Sequence, residues 1–211
     1  KHVTAMLPYL AYGRQDKPTR FEREPTTLKL MADLTLAAGI DRVVTWQPHS
    51  RQVHGFYSDI RVDTLDALKL FVDEFQRFKG RKDVIAVAPD LGASKFVAYF
   101  GRALDLRSAV AAKYRPEPEK AVISEVIGDL SGKETAIVLD DMISSGGTVH
   151  ALITKLIEET SVRKVYVGVS HYLGMNKAEE RLLELYDDYG LQQVIVTNSI
   201  PLAATFQSLP F

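Results

Sequence analysis

At 211 residues, 46% hydrophobic and 25% charged, the chain has the balance of a globular protein, one large domain or two small ones, with enough apolar residues for a core. Its 26 basic and 27 acidic residues leave a net charge of −1, so no global field would hold nucleic acid or an anionic membrane, and any anion site must be local. The absence of cysteine excludes disulfides and thiolate metal sites, no apolar run approaches a membrane span, and the cytoplasm is the default compartment.

The chain opens on "HVTAMLPYL", a predicted strand over 3–7 with neither Met nor signal peptide before it, so a preceding N-terminal segment is expected. "YGRQDKPTRFERE" follows, rich in both charges, Gly and Pro, and reads as a solvated loop. A helix over 26–38 ends at Gly39, which suits a left-handed cap, and a strand over 42–46 follows. The α/β alternation restarts near 60–63, where a domain boundary is expected, and Asp63 and Thr64 are candidate caps for a helix over 65–78.

Further strands are predicted at 84–88, 109–113, 135–139, 164–170 and 193–197, with a helix over 176–187 ahead of Gly190. Another helix starts near Gly147, because Val149, Leu152, Ile153, Leu156 and Ile157 fall on one face. Strands alternating with helices make this an α/β protein with parallel sheets.

The stretch "AIVLDDMISSGGTVHALITKL" is therefore a strand, a loop and a helix. A Gly-rich loop at that place presents backbone N–H groups and the positive end of a helix dipole, a natural phosphate cradle. Gly146 and Gly147 permit close approach of a ligand, while Ser144, Ser145 and Thr148 add hydroxyl donors. No Lys follows the second Gly, so this is not a Walker A loop, and the dinucleotide glycine pattern is absent too. Asp140 and Asp141 would repel a phosphate if they faced it; they call for sugar hydroxyls or a metal carried by the ligand. A phosphorylated ribose satisfies both halves of the motif.

"VLDDMISSGGT" resembles the ribose 5-phosphate loop shared by type I phosphoribosyltransferases and ribose-phosphate pyrophosphokinases. "PYLAYGRQDK", "REPTTLKLMADLTLAAGIDRVVT", "HSRQVHGFY", "APDLGASK", "KYRPEP", "VIGDLSGK" and "VTNSIP" resemble pyrophosphokinase segments in the right order over nearly the whole chain. The resemblance implies two type I phosphoribosyltransferase-like domains with parallel sheets flanked by helices: residues 1–61, the remainder of a first domain incomplete at its N-terminus; residues 62–198, carrying the ribose 5-phosphate loop; and a tail, 199–211, packing back on the first.

It also implies transfer of the diphosphoryl group of ATP to the 1-hydroxyl of ribose 5-phosphate. Arg14 and Gln15 become ATP contacts, and His49 an ATP contact and Mg²⁺ neighbour. Asp90, which alone reads as a helix N-cap, becomes a Mg²⁺ ligand. Lys113 and Arg115 become the catalytic cations directed at the transferring group; Asp140, Asp141, Ser144, Ser145, Gly146, Gly147 and Thr148 bind ribose 5-phosphate. One departure stands out: "WQPH" occupies the place of Val-Asp-Leu-His, so Gln47 replaces an acid, which bears on metal affinity or geometry. His2, His54, His150 and His171 show no metal-ligand spacing and are taken as structural.

As partners the resemblance implies ATP, ribose 5-phosphate and further copies of the chain in a dimer-based homo-oligomer, a hexamer being one arrangement, with neither nucleic acid nor membrane. Two alternatives remain open. One is a phosphoribosyltransferase that consumes the product using the same loop. The other is a non-catalytic pyrophosphokinase-like regulatory subunit.

Overall fold

The computed structural model describes residues 1–18, 21–117 and 120–211, with the backbone alone for 114–117 and 120–121. The chain forms two compact units, Lys1–Ala67 and Leu68–Phe211.

In the first unit, β1 (Thr4–Leu7), β2 (Arg42–Trp46) and β3 (Arg61–Leu65) form a parallel sheet in that order, with Thr4 opposite Arg42 and Arg42 opposite Arg61. The connections carry α1 (Thr27–Ala37) and the short α2 (Val53–Phe56), as parallel neighbours require. Leu28 and Ala32 of α1 are buried with Val43 of β2, Val53 and Tyr57 in one small core. Gly39 closes α1 as expected: at φ +77° its N–H reaches the Leu36 carbonyl at 2.9 Å.

β3 is a correction. Thr64 and Leu65, read as the cap and start of a helix, pair instead with Thr45 and Trp46, and the helix begins at Leu68. The acid in this strand, Asp63, is neutralised by Arg42 at 2.6 Å and Arg61 at 2.9 Å, which hold its carboxyl below the usual range. The first unit accordingly runs on to Ala67.

The second unit is a six-stranded sheet in the order β6-β5-β4-β7-β8-β9. Its strands are β4 (Val84–Ala88), β5 (Arg107–Glu117), β6 (Lys120–Ile127), β7 (Thr135–Ile143), β8 (Lys164–Tyr172) and β9 (Leu191–Val196), all parallel except the β5–β6 pair. Helices α3 (Leu68–Glu74), α4 (Ser94–Ala103), α5 (Gly147–Glu159), α6 (Ala178–Asp188) and α7 (Ala204–Gln207) complete it, with a 3₁₀ turn at Gln76–Phe78. β4 is buried along its full length, the run expected of a parallel strand covered on both faces.

Val149, Leu152, Ile153 and Leu156 of α5 join Leu182 and Leu185 of α6 in the main core. Phe71, Phe75 and Phe100 are also fully buried, and Phe75 meets Phe100 and Tyr166 edge to face.

Two segments differ from the sequence reading. The strand predicted over 109–113 runs on, its residues 114–117 continuing β5 into an antiparallel pair with β6, with register shifts at Ala112/Lys113 and Tyr114/Glu117; Pro118 of "KYRPEP" lies outside the described residues. The tail, which the resemblance placed on the first domain, packs its apolar residues on the second unit: Phe206 lies 4.0 Å from Tyr172, and Phe211 5.8 Å from Tyr186, ring centre to ring centre. Among the described residues no helix is long and apolar enough to cross a membrane.

Candidate functional site

β4 pairs with β5 on one side and β7 on the other, so the connections diverge from β4 and leave a crevice beyond the carboxyl ends of β4 and β7. Ligands of open α/β sheets bind at such a reversal of strand order. Asp90 lies just past β4, Lys113 is on β5, and Asp140 and Asp141 are on β7.

The strand carrying the paired acids is longer than its composition suggests. Met142 and Ile143 still pair with His171 and Tyr172, so the ladder with β8 carries the backbone through two poor strand formers. Asp140 accepts the Asp141 N–H at 2.9 Å. Burial, and after it the charges of Asp141 and Asp90, push the Asp140 carboxyl well above the usual carboxylate range.

Asp90 serves two partners at once. One carboxylate oxygen accepts the N–H groups of Gly92 at 2.9 Å and Ala93 at 3.3 Å, capping the turn that leads into α4. The other accepts Lys113 Nζ at 2.5 Å, with the Lys113 side chain only 14% exposed. Burial alone would raise the Asp90 carboxyl; the Lys113 hydrogen bond and charge, helped by the two amides, outweigh it and hold the group below its ordinary value. Arg115 lies in β5 by its backbone, and its side chain is outside the described residues.

β7 ends at Ile143, and Gly146 opens α5 from the left-handed region at φ +75°. No side chain caps this helix end and no acid occupies its first turn, so nothing on the helix competes for its first N–H groups. Ser144, Ser145, Gly147 and Thr148 flank Gly146, and all four are partly accessible. An anion placed there meets the favourable end of a helix of 13 residues.

Behind the loop stands a residue that the sequence did not single out. Arg181 of α6 donates from its guanidinium to the Ser145 carbonyl at 2.6 Å. In the sequence it is one more charge on an amphipathic helix, and no local pattern distinguishes it.

Arg14, Gln15 and His49 belong to the first unit. Arg14 and Gln15 are exposed in the loop after β1, and His49 is exposed between β2 and α2. Because β1 and β2 are parallel neighbours, both loops leave the same sheet edge. The Gln15 backbone is held at both ends, its N–H on the Tyr12 carbonyl at 2.9 Å and its carbonyl on the Leu28 N–H at 3.2 Å. The Gln47 side-chain carbonyl accepts the Ala67 N–H at 3.0 Å, and the Gln47 backbone N–H donates to the Leu65 carbonyl at 2.7 Å, so the residue ties down the end of β3.

Among the described residues no three His, Asp or Glu side chains gather into a ready-made metal cage. A single carboxylate suits a different arrangement. Mg²⁺ takes one or two carboxylates together with substrate phosphates, and Asp90, just past β4, is a carboxylate of that kind.

The chain is similar in sequence and fold to known proteins. Residues 101–208 match the family described as "Phosphoribosyl synthetase-associated domain", and residues 1–39 match the "N-terminal domain of ribose phosphate pyrophosphokinase". A ribose-phosphate pyrophosphokinase of Mycoplasma genitalium is 40% identical over 95% of this chain and 59% of its own length. That of Aquifex aeolicus is 38% identical over 96% of this chain and 62% of its own. The crystal structure of phosphoribosylpyrophosphate synthetase from Mycobacterium smegmatis superposes with a TM-score of 0.84 at 33% identity, covering 100% of this chain and 65% of that one.

The chain thus spans about three fifths of the length of these curated relatives. Its α/β architecture is the type I phosphoribosyltransferase-like fold. With one family description covering residues 101–208 and the other the opening 39, the chain belongs to the ribose-phosphate pyrophosphokinase family.

Proposed function

We propose that this chain binds ribose 5-phosphate at the end of β7 and transfers to its 1-hydroxyl the diphosphoryl group of ATP, giving 5-phosphoribosyl 1-diphosphate and AMP for nucleotide biosynthesis. The observation that carries the reading is one continuous stretch: two carboxylates on a strand end, leading within a few residues to a left-handed glycine that opens an uncapped helix. Sugar hydroxyls donate to carboxylates and a phosphate accepts from amides, so a phosphorylated ribose complements both.

The 1-hydroxyl attacks the β-phosphorus of ATP, the bond between the α–β bridging oxygen and that phosphorus breaks, and AMP leaves with the oxygen. Asp140 and Asp141 hold the ribose hydroxyls, and residues 144–148 hold the 5-phosphate. Lys113 and Arg115 supply positive charge as charge builds on the transferred group. Arg14, Gln15 and His49 contact the nucleotide, the Arg guanidinium being suited to both base stacking and phosphate.

Asp90 and His49 are the residues we assign to Mg²⁺, which would supply charge neutralisation on the phosphates when bound. Lys113, bonded to Asp90 at 2.5 Å, is the cation we assign to the phosphates. The same reading makes the chain a cytoplasmic, dimer-based homo-oligomer. Gln47, engaged in holding β3, favours a second reading in which the chain binds nucleotide as a regulatory partner without turnover.

Calorimetric titration tests the site itself. Ribose 5-phosphate should bind, and ribose without the phosphate should bind at least about tenfold more weakly, the scale of one lost charge-assisted hydrogen bond. Equal affinities would remove the phosphate from the site.

A further inference from the structure

The phosphate loop is held from behind by the segment that opens α6. The Ser144 carbonyl accepts the Met175 N–H at 2.9 Å, and the Ser145 carbonyl accepts the Arg181 guanidinium at 2.6 Å. Gly146 backs onto the same segment: a Cβ built there would lie 3.6 Å from the Ala178 Cα and 3.8 Å from the Arg181 Cβ.

These two bonds have a geometric consequence. All peptides in the described chain are trans, and in a planar trans peptide the carbonyl and the following N–H point in opposite directions. With the Ser144 and Ser145 carbonyls both turned toward α6, the N–H groups of Ser145 and Gly146 are both turned away from it. Two successive N–H groups aimed to one side, at the mouth of a helix, form an anion-binding concavity.

We infer that Arg181 is a positioning residue for the phosphomonoester: by fixing the Ser145 carbonyl it aims the Gly146 N–H into the cradle, and its cation lies close behind the bound dianion. The inference rests on the reading of this loop as the 5-phosphate site. Arg181 touches the loop backbone and not the reacting atoms, so it acts on affinity for the phosphorylated sugar and leaves the transfer step alone.

The test is calorimetric titration of the full chain and its Arg181→Ala and Arg181→Lys variants with ribose 5-phosphate, alongside melting temperatures and steady-state kinetics. Arg181→Ala should bind about tenfold more weakly, the scale of one charge-assisted hydrogen bond. Its KM for the sugar phosphate should rise by a similar factor with kcat held within about twofold and the melting temperature unchanged. Arg181→Lys should recover part of the loss, since an ammonium can reach the same carbonyl but lacks the planar fork.

Wild-type affinity in Arg181→Ala would overturn the inference. So would a fall in kcat and melting temperature that Lys does not rescue, which marks a purely structural residue. If the unmodified chain itself binds no ribose 5-phosphate, the reading of the loop fails, and the role of Arg181 fails with it.

Discussion

Replacing Lys113 by Ala should lower turnover by at least about a hundredfold while changing ribose 5-phosphate affinity no more than about threefold, the pattern expected when an electrostatic group acts on the transition state. The structure supplies the reason the two effects separate. Lys113 is bonded to Asp90 across β4 and β5, whereas the loop proposed to hold the sugar phosphate lies beyond β7. The Lys113 side chain is also nearly buried, so a phosphate that met it would do so at a low dielectric, where a charge counts for more than in water.

The substitution also strips Asp90 of its main counter-charge and lets that carboxyl rise toward its ordinary value. A cycle with Asp90→Asn therefore belongs to the experiment. If Lys113 served only to hold Asp90, the double variant would lose no more than Asp90→Asn alone; a catalytic Lys113 makes the double variant worse. Turnover unchanged in Lys113→Ala would remove this residue from the chemistry.

Asp140→Asn should move stability and binding in opposite directions. The Asp140 carboxyl is pushed well above the usual range by burial and by its acidic neighbours. An acid whose folded pKa exceeds its unfolded value stabilises the fold fully only below the unfolded value, about 3.9, and that contribution is lost as pH rises toward the folded one. Asn removes the penalty while keeping an oxygen for the Asp141 N–H. The ligand-free variant should melt higher at pH 7, by roughly 2–4 °C per kcal/mol relieved, with no difference at pH 3.

Ribose 5-phosphate should meanwhile bind about a hundredfold more weakly, because the sugar hydroxyls lose their anionic acceptor. Melting curves at the two pH values and a titration check both arms. A variant that melts lower at pH 7, or binds as tightly as before, would contradict the role given to Asp140. This opposition is how a functional carboxylate differs from a structural one: the fold carries its cost until the ligand arrives.

The backbone of the candidate site was legible because its signals are local. The apolar run before Asp140, the Gly pair, and the spacing of Val149, Leu152, Ile153 and Leu156 each constrain the backbone within a few residues, and the structure has the strand, the left-handed glycine and the buried helix face there. What escaped depends on partners far along the chain. "RVDTL" is half polar and becomes a strand because Asp63 finds Arg42 on the neighbouring strand. The β5–β6 pair was hidden by prolines and charges that read as loop. The Lys113–Asp90 bond joins residues 23 positions apart, and the Arg181–Ser145 bond spans 36. No periodicity can report such pairings, since they exist only once the sheet order is set.

The most direct test of the whole account is to incubate the chain with Mg²⁺, ATP and ribose 5-phosphate and follow the nucleotides and sugar phosphates by chromatography. The account predicts AMP and 5-phosphoribosyl 1-diphosphate in equal amounts, each dependent on ribose 5-phosphate. ADP in place of AMP would mean transfer of a single phosphoryl group, and no product despite measurable ribose 5-phosphate binding would make this chain a binding partner; either result contradicts the proposed reaction.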